Sequence, residues 1–465
     1  MTETKSGWLD KYWVRDRSFY KKVFVILIPI VMQSIINQGV NMMDTIMVGK
    51  LGEASISASS LANQFYNIFV FLCMGISAAG VVLSSQYFGA KDLRTVRRVF
   101  DLSLQIVVVS GLVFAVLTLL FPEGIMSIFT KEQDVIELGA GYLRVTAFIY
   151  LPHGISLVLS NIMRSVSNAR LGLYVSIASF VVNIGANYIF IFGKLGAPAM
   201  GVMGAAVGTL IARAVEFTFC TVYLMKYEKV LGYSFRGLLK SPSKELFQEF
   251  RRLGMPAVIS DSILALAASA VSIILGHMGK EIVSAYAIVT VMDRMATVAI
   301  MGVASASGVI IGQSVGEGEF ERAQKEGCTF LILSVLVGLV GGILVLTLGE
   351  WSIGLYEITP STVQITVSMM QASAIVVFFQ SIQSALSKGI LRGGGDTKFL
   401  MVADIIFQWV ASIPLGALAG LVLKLDPFIV LIVLRIDFII KSVWLVFRLK
   451  GGKWIHKARS MEENL

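Results

Sequence analysis

The sequence predicts an all-α membrane protein: twelve transmembrane helices in two pseudo-symmetric six-helix bundles. Three observations predict it. Of the 465 residues, 56% are hydrophobic and only 15% charged, too few polar groups to cover a soluble fold of this size. The apolar residues gather in runs long enough to cross a hydrocarbon core of about 30 Å, which takes about 20 helical residues. The second half of the chain also repeats the first at a nearly constant offset.

Taken in order, residues 1–22 are polar and basic, without the short apolar core and cleavage site of a signal peptide, and read as a cytoplasmic N-terminal segment. Apolar windows punctuated by Gly, Pro and charge then start near residues 23, 58, 99, 137, 171 and 200, giving an N-lobe over 23–226. The Lys-, Glu- and Ser-rich stretch 227–252 is a cytoplasmic linker. Spans starting near 253, 283, 327, 362, 398 and 426 make a C-lobe over 253–449, and 450–465 is a cytoplasmic tail.

Orientation follows from the basic residues. With both termini in the cytoplasm, 29 Lys and Arg fall on the inner side and 5 in the outer loops, which decides the topology by the positive-inside rule. The +9 net charge is thus a topology signal, and no aromatic-basic groove supports nucleic-acid binding. Cys73, Cys220 and Cys328 sit in apolar runs and read as small buried hydrophobes. His153, His277 and His456 form no metal-ligand spacing, and no nucleophile-base pair or paired-carboxylate motif points to an enzyme.

The repeat has three anchors. Gly49-Lys-Leu-Gly52 and Gly276-His-Met-Gly279 are 227 residues apart, as are Gln86-x-x-Gly89 and Gln313-x-x-Gly316. Arg164 and Arg170 match Arg392 and Lys398 at 228. Six spans per copy is an even number, so both copies enter the membrane in the same sense, the parallel-repeat plan of some transporters.

Polar groups inside the spans are the candidate site. Gln33, Asn37, Asn41 and Asp44 fall within an arc of roughly 80° on the first helix at 100° per residue. Lipid cannot satisfy them, so they face protein or water. Amides alone fit a seam that glues helices, whereas the carboxylate points to function. Asn183 and Asn187 on the fifth span, and Ala205 and Thr209 on the sixth, lie at a similar depth. A carboxylate, amide oxygens, a hydroxyl and a carbonyl suit a small hard cation, and burial of the acid equally suits a proton carrier. Na⁺ at Asp44 is the one metal contemplated. In the second half the positions equivalent to Asp44 and Asn183 are Val271 and Ala411, so the site is not duplicated. Polar candidates there are Asp261, Asp293, Gln383, Asp404 and Gln408. Arg213 with Glu216, and Asp437 with Lys441, are spaced to neutralise each other.

M-D-T-I-M-V-G-K-L-G, S-Q-Y-F-G-A-K-D, V-N-I-G-A-N-Y-I-F-I-F-G, L-G-A-P-A-M-G-V-M-G-A-A-V-G-T, L-R-G-G-G-D-T-K and W-V-A-S-I-P resemble the multidrug and toxic compound extrusion (MATE) family. The resemblance implies a MATE-type fold and a monomeric inner-membrane antiporter without a cofactor, exchanging Na⁺ or H⁺ for small organic, often cationic, compounds by alternating access. It carries the family's N-lobe cation site onto Asp44, Asn183, Asn187 and Thr209. The NorM-like branch has acids where this chain reads Leu264 and Ser381, so the C-lobe looks closer to the DinF-like branch. The first-half counterpart of L-R-G-G-G-D-T-K is M-R-S-V-S-N-A-R, with its glycines gone. The alternative function is a flippase for a lipid-linked oligosaccharide on a related two-bundle fold, which would need a strongly cationic cavity.

Overall fold

A computed structural model describes residues 13–51, 53–234, 237–238, 240–354 and 358–459. Gly52 of the first repeat anchor, residues 1–12 of the N-terminal segment and 460–465 of the tail lie outside the described residues.

The regular secondary structure of the described residues is helical, with no strand among them. The first half holds α1 (Arg17–Gly49), α2 (Glu53–Gly89), α3 (Leu93–Leu120), α4 (Pro122–Phe129), α5 (Gln133–Thr146), α6 (Tyr150–Ser165), α7 (Arg170–Phe192) and α8 (Val202–Lys226). The second holds α9 (Lys244–Met278), α10 (Lys280–Glu317), α11 (Phe320–Ile353) and α12 (Pro360–Ser384). After these come α13 (Leu391–Gly393), α14 (Thr397–Asp404), α15 (Ile413–Ala417), α16 (Pro427–Leu434) and α17 (Ile436–Lys450). Three π-helical segments, Ala385–Ile390, Ile405–Ser412 and Leu418–Val422, interrupt the tenth and eleventh expected spans.

Among the described residues, ten helices are long and apolar enough to cross a membrane, and α5 with α6, bent by 58° to each other, make an eleventh if the pair is one span. The twelfth expected span is two short helices, α16 and α17, separated at Arg435, whose backbone (φ −121°, ψ 15°) leaves the helical region. The last nine residues of the expected linker 227–252 are helical, since α9 begins at Lys244.

Local chemistry explains several boundaries. Asp92 caps α3 by accepting the Thr95 amide at 3.0 Å, and Asp426 caps α16 by accepting that of Phe428, with Pro427 at the first helical position. Gly193 ends α7 at φ +66°, the left-handed conformation that costs glycine least.

The chain divides into two compact units. One holds 28–84 and 92–254. Its core includes Met47, Ala58, Ala62, Tyr142, Val202 and Ala205. Gly204 and Gly208, one turn apart, press α8 onto α7: a Cβ on Gly204 would meet the Phe190 carbonyl, and one on Gly208 the Asn187 side chain. Small residues on α8 therefore set the position of Asn187.

The other unit holds 85–91, 255 onwards and the described residues before Ile28. Its core contains Val271, the repeat counterpart of Asp44, buried at 1% exposure. The end of α2 belongs here because Gly89 meets the backbone of Gln313 on α10, and Gly316 meets that of Gln86. The chain after α17 lies on the same place. The Gln86 amide donates to the Gly393 and His456 carbonyls (3.1 and 3.3 Å) and accepts the Ala458 amide (2.7 Å). Trp454 is fully buried, its indole N–H donates to Gln324 at 2.9 Å, and its ring covers Gly394. The glycines of L-R-G-G-G-D-T-K are required by this crossing: Gly393 touches Gly308, Gly394 lies under Trp454, and Gly395 sits at φ +89° beside the His456 carbonyl.

Candidate functional site

In the first unit, α1 brings Asp44 to α7. Asn187 Nδ2 donates to Asp44 Oδ1 at 2.6 Å and lies 3.3 Å from Asn183 Oδ1, so one amide joins the two. Asn183 and Asn187 are buried at 2% and 0% exposure, and Asp44 is half-buried. Thr209 donates to the Ala205 carbonyl at 3.0 Å, and neither is hydrogen-bonded to Asp44 among the described residues. Their helix reaches the site through Gly208, which abuts Asn187. Asn187 Oδ1 is buried without a hydrogen-bond partner. An orphaned amide oxygen beside a carboxylate, with a second amide oxygen in reach, is a donor set that fits a small hard cation.

A charge cluster adjoins the acid. Arg213 Nη1 donates to Glu216 Oε1 at 2.6 Å, and His153 Nδ1 lies 3.4 Å from Glu216 Oε2. The i, i+3 spacing gave the first pair, whereas His153 on α6 is 63 residues from Glu216 in sequence and carried no local signal. Arg213, one turn beyond Thr209 on α8, interacts electrostatically with Asp44. Among the described residues Asp44 itself is in no ion pair.

The rest of the first-helix stripe is heterogeneous. Gln33 accepts the Arg164 guanidinium at 2.7 Å, in space left by Gly172. Asn37 and Asn41 are exposed.

In the second unit most polar candidates are engaged. Asp261 and Arg392 pair at 3.2 Å. Lys441 lies 3.0 Å from Asp404 and 3.1 Å from Asp437, with all three buried, and Ser260 donates to Asp404. Lys388, in the first π-helical segment, interacts electrostatically with Asp261 and Asp404. Gln383 accepts from Ser384 at 3.4 Å, and Gln408 Oε1 is buried without a partner. Asp293 accepts the Ser373 hydroxyl, while its neighbour Arg294 is exposed. Ser381 donates to the Ser334 carbonyl at 2.7 Å.

A many-helix membrane chain with ion-paired interior charges and one carboxylate left beside an unpartnered amide oxygen is organised as a transporter, not as an enzyme. The MatE family model matches residues 29–189 and 256–418, and the chain belongs to that family. The two matched segments start 227 residues apart, the offset of the repeat anchors. Relatives include a probable multidrug resistance protein NorM of Agrobacterium fabrum, 27% identical over 91% of this chain and 95% of its own. Another, of the same name, from Thermotoga maritima is 25% identical over 94% of both chains. The multidrug resistance protein MdtK of Yersinia pseudotuberculosis is 23% identical over 89% of both. A solved multidrug resistance MATE family transporter of the MOP superfamily, in an outward-facing conformation, superposes with a TM-score of 0.84 at 19% identity, covering 95% of this chain and 99% of that one. A MOP superfamily transporter from Pyrococcus furiosus gives 0.83 at 20% identity over 94% and 97%.

Proposed function

We propose that this chain is a secondary active multidrug exporter of the cell membrane, exchanging Na⁺ or H⁺ for organic, often cationic, compounds, with Asp44 as the coupling residue. The names of the relatives support multidrug efflux. The observation that carries the coupling is Asp44 itself, held by the Asn187 amide at 2.6 Å and free of any ion pair among the described residues.

Chemically, a cation at Asp44 finds the carboxylate together with the Asn187 and Asn183 oxygens. It removes a charge that a low-dielectric site makes costly, and it competes with the hydrogen bond by which Asn187 holds α1 to α7. Packings of α1 that differ in this contact then bind the cation with different affinity, which is what a coupling ion needs to shift a conformational equilibrium. Exposed Asn37 and Asn41, on an otherwise apolar helix, support a wetted face for the substrate. The 29-to-5 basic bias supports cytoplasmic termini. Leu264 and Ser381, where the NorM-like branch has acids, support the DinF-like grouping of the second half. The flippase reading is disfavoured because Arg392 and Lys441 already spend their charge on Asp261, Asp404 and Asp437.

The test is ethidium efflux from proteoliposomes under separately imposed Na⁺ and pH gradients, for the wild type and Asp44→Asn. One gradient is expected to drive efflux in the wild type and to lose most of its effect in the variant. Undiminished gradient-driven efflux by Asp44→Asn overturns the assignment.

A further inference from the structure

Two exposed helix faces of the second unit lie side by side. On α17, Val443 and Trp444 are exposed one turn before exposed Phe447, and Lys450 follows Phe447 on the same face. On the eleventh span, Lys398 of α14 is followed at intervals of four by exposed Val402 and Ile406. Each apolar stripe therefore finishes in a lysine, at the end of the spans that the basic bias assigns to the cytoplasm. The two helices are joined along this length. Phe407 and Trp444 meet edge to face at 5.8 Å, the Arg448 guanidinium lies 4.5 Å from the Phe399 ring centre, and Arg448 Nε donates to Asp396 at 2.8 Å. We propose that this paired face binds one anionic phospholipid, with the headgroup phosphate at Lys398 and Lys450 and the acyl chains along Val402, Ile406 and Phe447.

The charges set the ligand class. Asp396, which joins the two helices, is buried and already bound by Arg448, with His456 Nε2 at 3.6 Å. Lys398 and Lys450 are exposed and in no ion pair among the described residues, and exposed Lys453 adds a third ammonium just beyond α17. A lysine at the edge of hydrocarbon lays its stem on apolar surface and puts its ammonium among the headgroups. With no carboxylate from the protein, its counter-charge comes from the lipid, and each lysine raises affinity for an anionic surface about fivefold. A zwitterionic headgroup carries its own ammonium and gains little from the lysines. The end of α17 is also fixed in advance. Gln324 donates to the Leu449 carbonyl at 2.9 Å and accepts the Trp454 indole N–H at 2.9 Å, so Lys450 needs little ordering when lipid arrives.

The inference goes beyond the proposed exchange and does not depend on it. The experiment is thermal unfolding of the full chain in uncharged maltoside micelles, titrated with dioleoylphosphatidylglycerol or dioleoylphosphatidylcholine. Phosphatidylglycerol is expected to raise the unfolding temperature saturably and phosphatidylcholine to leave it nearly unchanged. Lys398→Gln and Lys450→Gln are each expected to raise the half-saturating fraction of phosphatidylglycerol about fivefold, and the double variant about 25-fold. Lys229→Gln with Lys240→Gln removes the same charge from the non-helical linker and is expected to leave the titration unchanged. A Lys398→Gln, Lys450→Gln variant that titrates as the wild type overturns the proposal. An equal loss in the linker variant also overturns it, since the lipid then answers to net charge alone. So does an equal shift with phosphatidylcholine, which would make the face a site for acyl chains only. Glycerol phosphate without lipid is expected to give no shift, and a shift as large as that of the lipid overturns the proposal in favour of a free-phosphate site. Both lysines are exposed, so the glutamine pair is expected to melt with the wild type before lipid is added. If that pair does not fold, Lys450→Gln alone carries the comparison. Lys398→Arg with Lys450→Arg keeps the charges and is expected to keep the phosphatidylglycerol shift, and its loss overturns the proposal.

Discussion

Gly89 lays its bare Cα against the backbone carbonyl of Gln313, and Gly316 returns the contact on the carbonyl of Gln86. The Q-x-x-G anchors of the two repeats therefore mark one crossing of α2 and α10, in which each glycine removes the side chain that would separate the backbones. Gly89→Ala or Gly316→Ala puts a methyl group on a main-chain oxygen that cannot turn aside. Either is expected to cost about 1–3 kcal/mol, read as a lowered unfolding temperature in detergent.

Trp454 closes the same region and is fully buried. Trp454→Ala is expected to destabilise the protein by about 3–5 kcal/mol. Trp454→Phe keeps most of the packing and loses the bond to Gln324, for about 1 kcal/mol. Denaturation of the two variants side by side separates packing from hydrogen bonding.

Gly208→Ala acts on the site at a distance of one residue contact. Its methyl group meets the Asn187 side chain, and displacing that side chain strains its hydrogen bond to Asp44. Ion-driven ethidium efflux is expected to fall several-fold while the unfolding temperature changes little, since the lost hydrogen bond is worth about 1 kcal/mol. A large fall in stability with normal coupling would show that Asn187 is structural only.

Glu216 and Arg213 form a pair in which a single loss strands a buried charge. Glu216→Gln is expected to cost about 3–5 kcal/mol, whereas Arg213→Met with Glu216→Leu is near neutral for stability. With the tethered positive charge gone, Asp44 is expected to bind Na⁺ roughly tenfold more tightly, about 1.4 kcal/mol. Sodium-dependent thermal shifts of the double variant check both statements.

Much of this was legible in sequence because it is periodic. The long spans, the 227-residue repeat and the polar stripe through Gln33 and Asp44 follow from spacing along one helix. The pairs Arg213–Glu216 and Asp437–Lys441 are one turn apart and could be read the same way. The hydropathy of the twelfth expected span does not show the break at Arg435, which is a matter of backbone angle. The glycines of L-R-G-G-G-D-T-K, absent from M-R-S-V-S-N-A-R, have a reason only in tertiary contact, since Trp454 and His456 lie against Gly394 and Gly395.

The sequence by itself determined that the chain crosses the membrane many times in two related halves, and that Asp44 has no twin. Hydrophobic runs and repeats are local properties, so they survive without a fold. The tertiary structure decided which buried acids are already neutralised. Asp261 meets Arg392 across 131 residues and Asp404 meets Lys441 across 37, and both look in sequence like Asp293, which accepts the Ser373 hydroxyl and is in no ion pair among the described residues. A carboxylate's role depends on whether a fixed cation stands beside it, and in a helical bundle that neighbour comes from another helix.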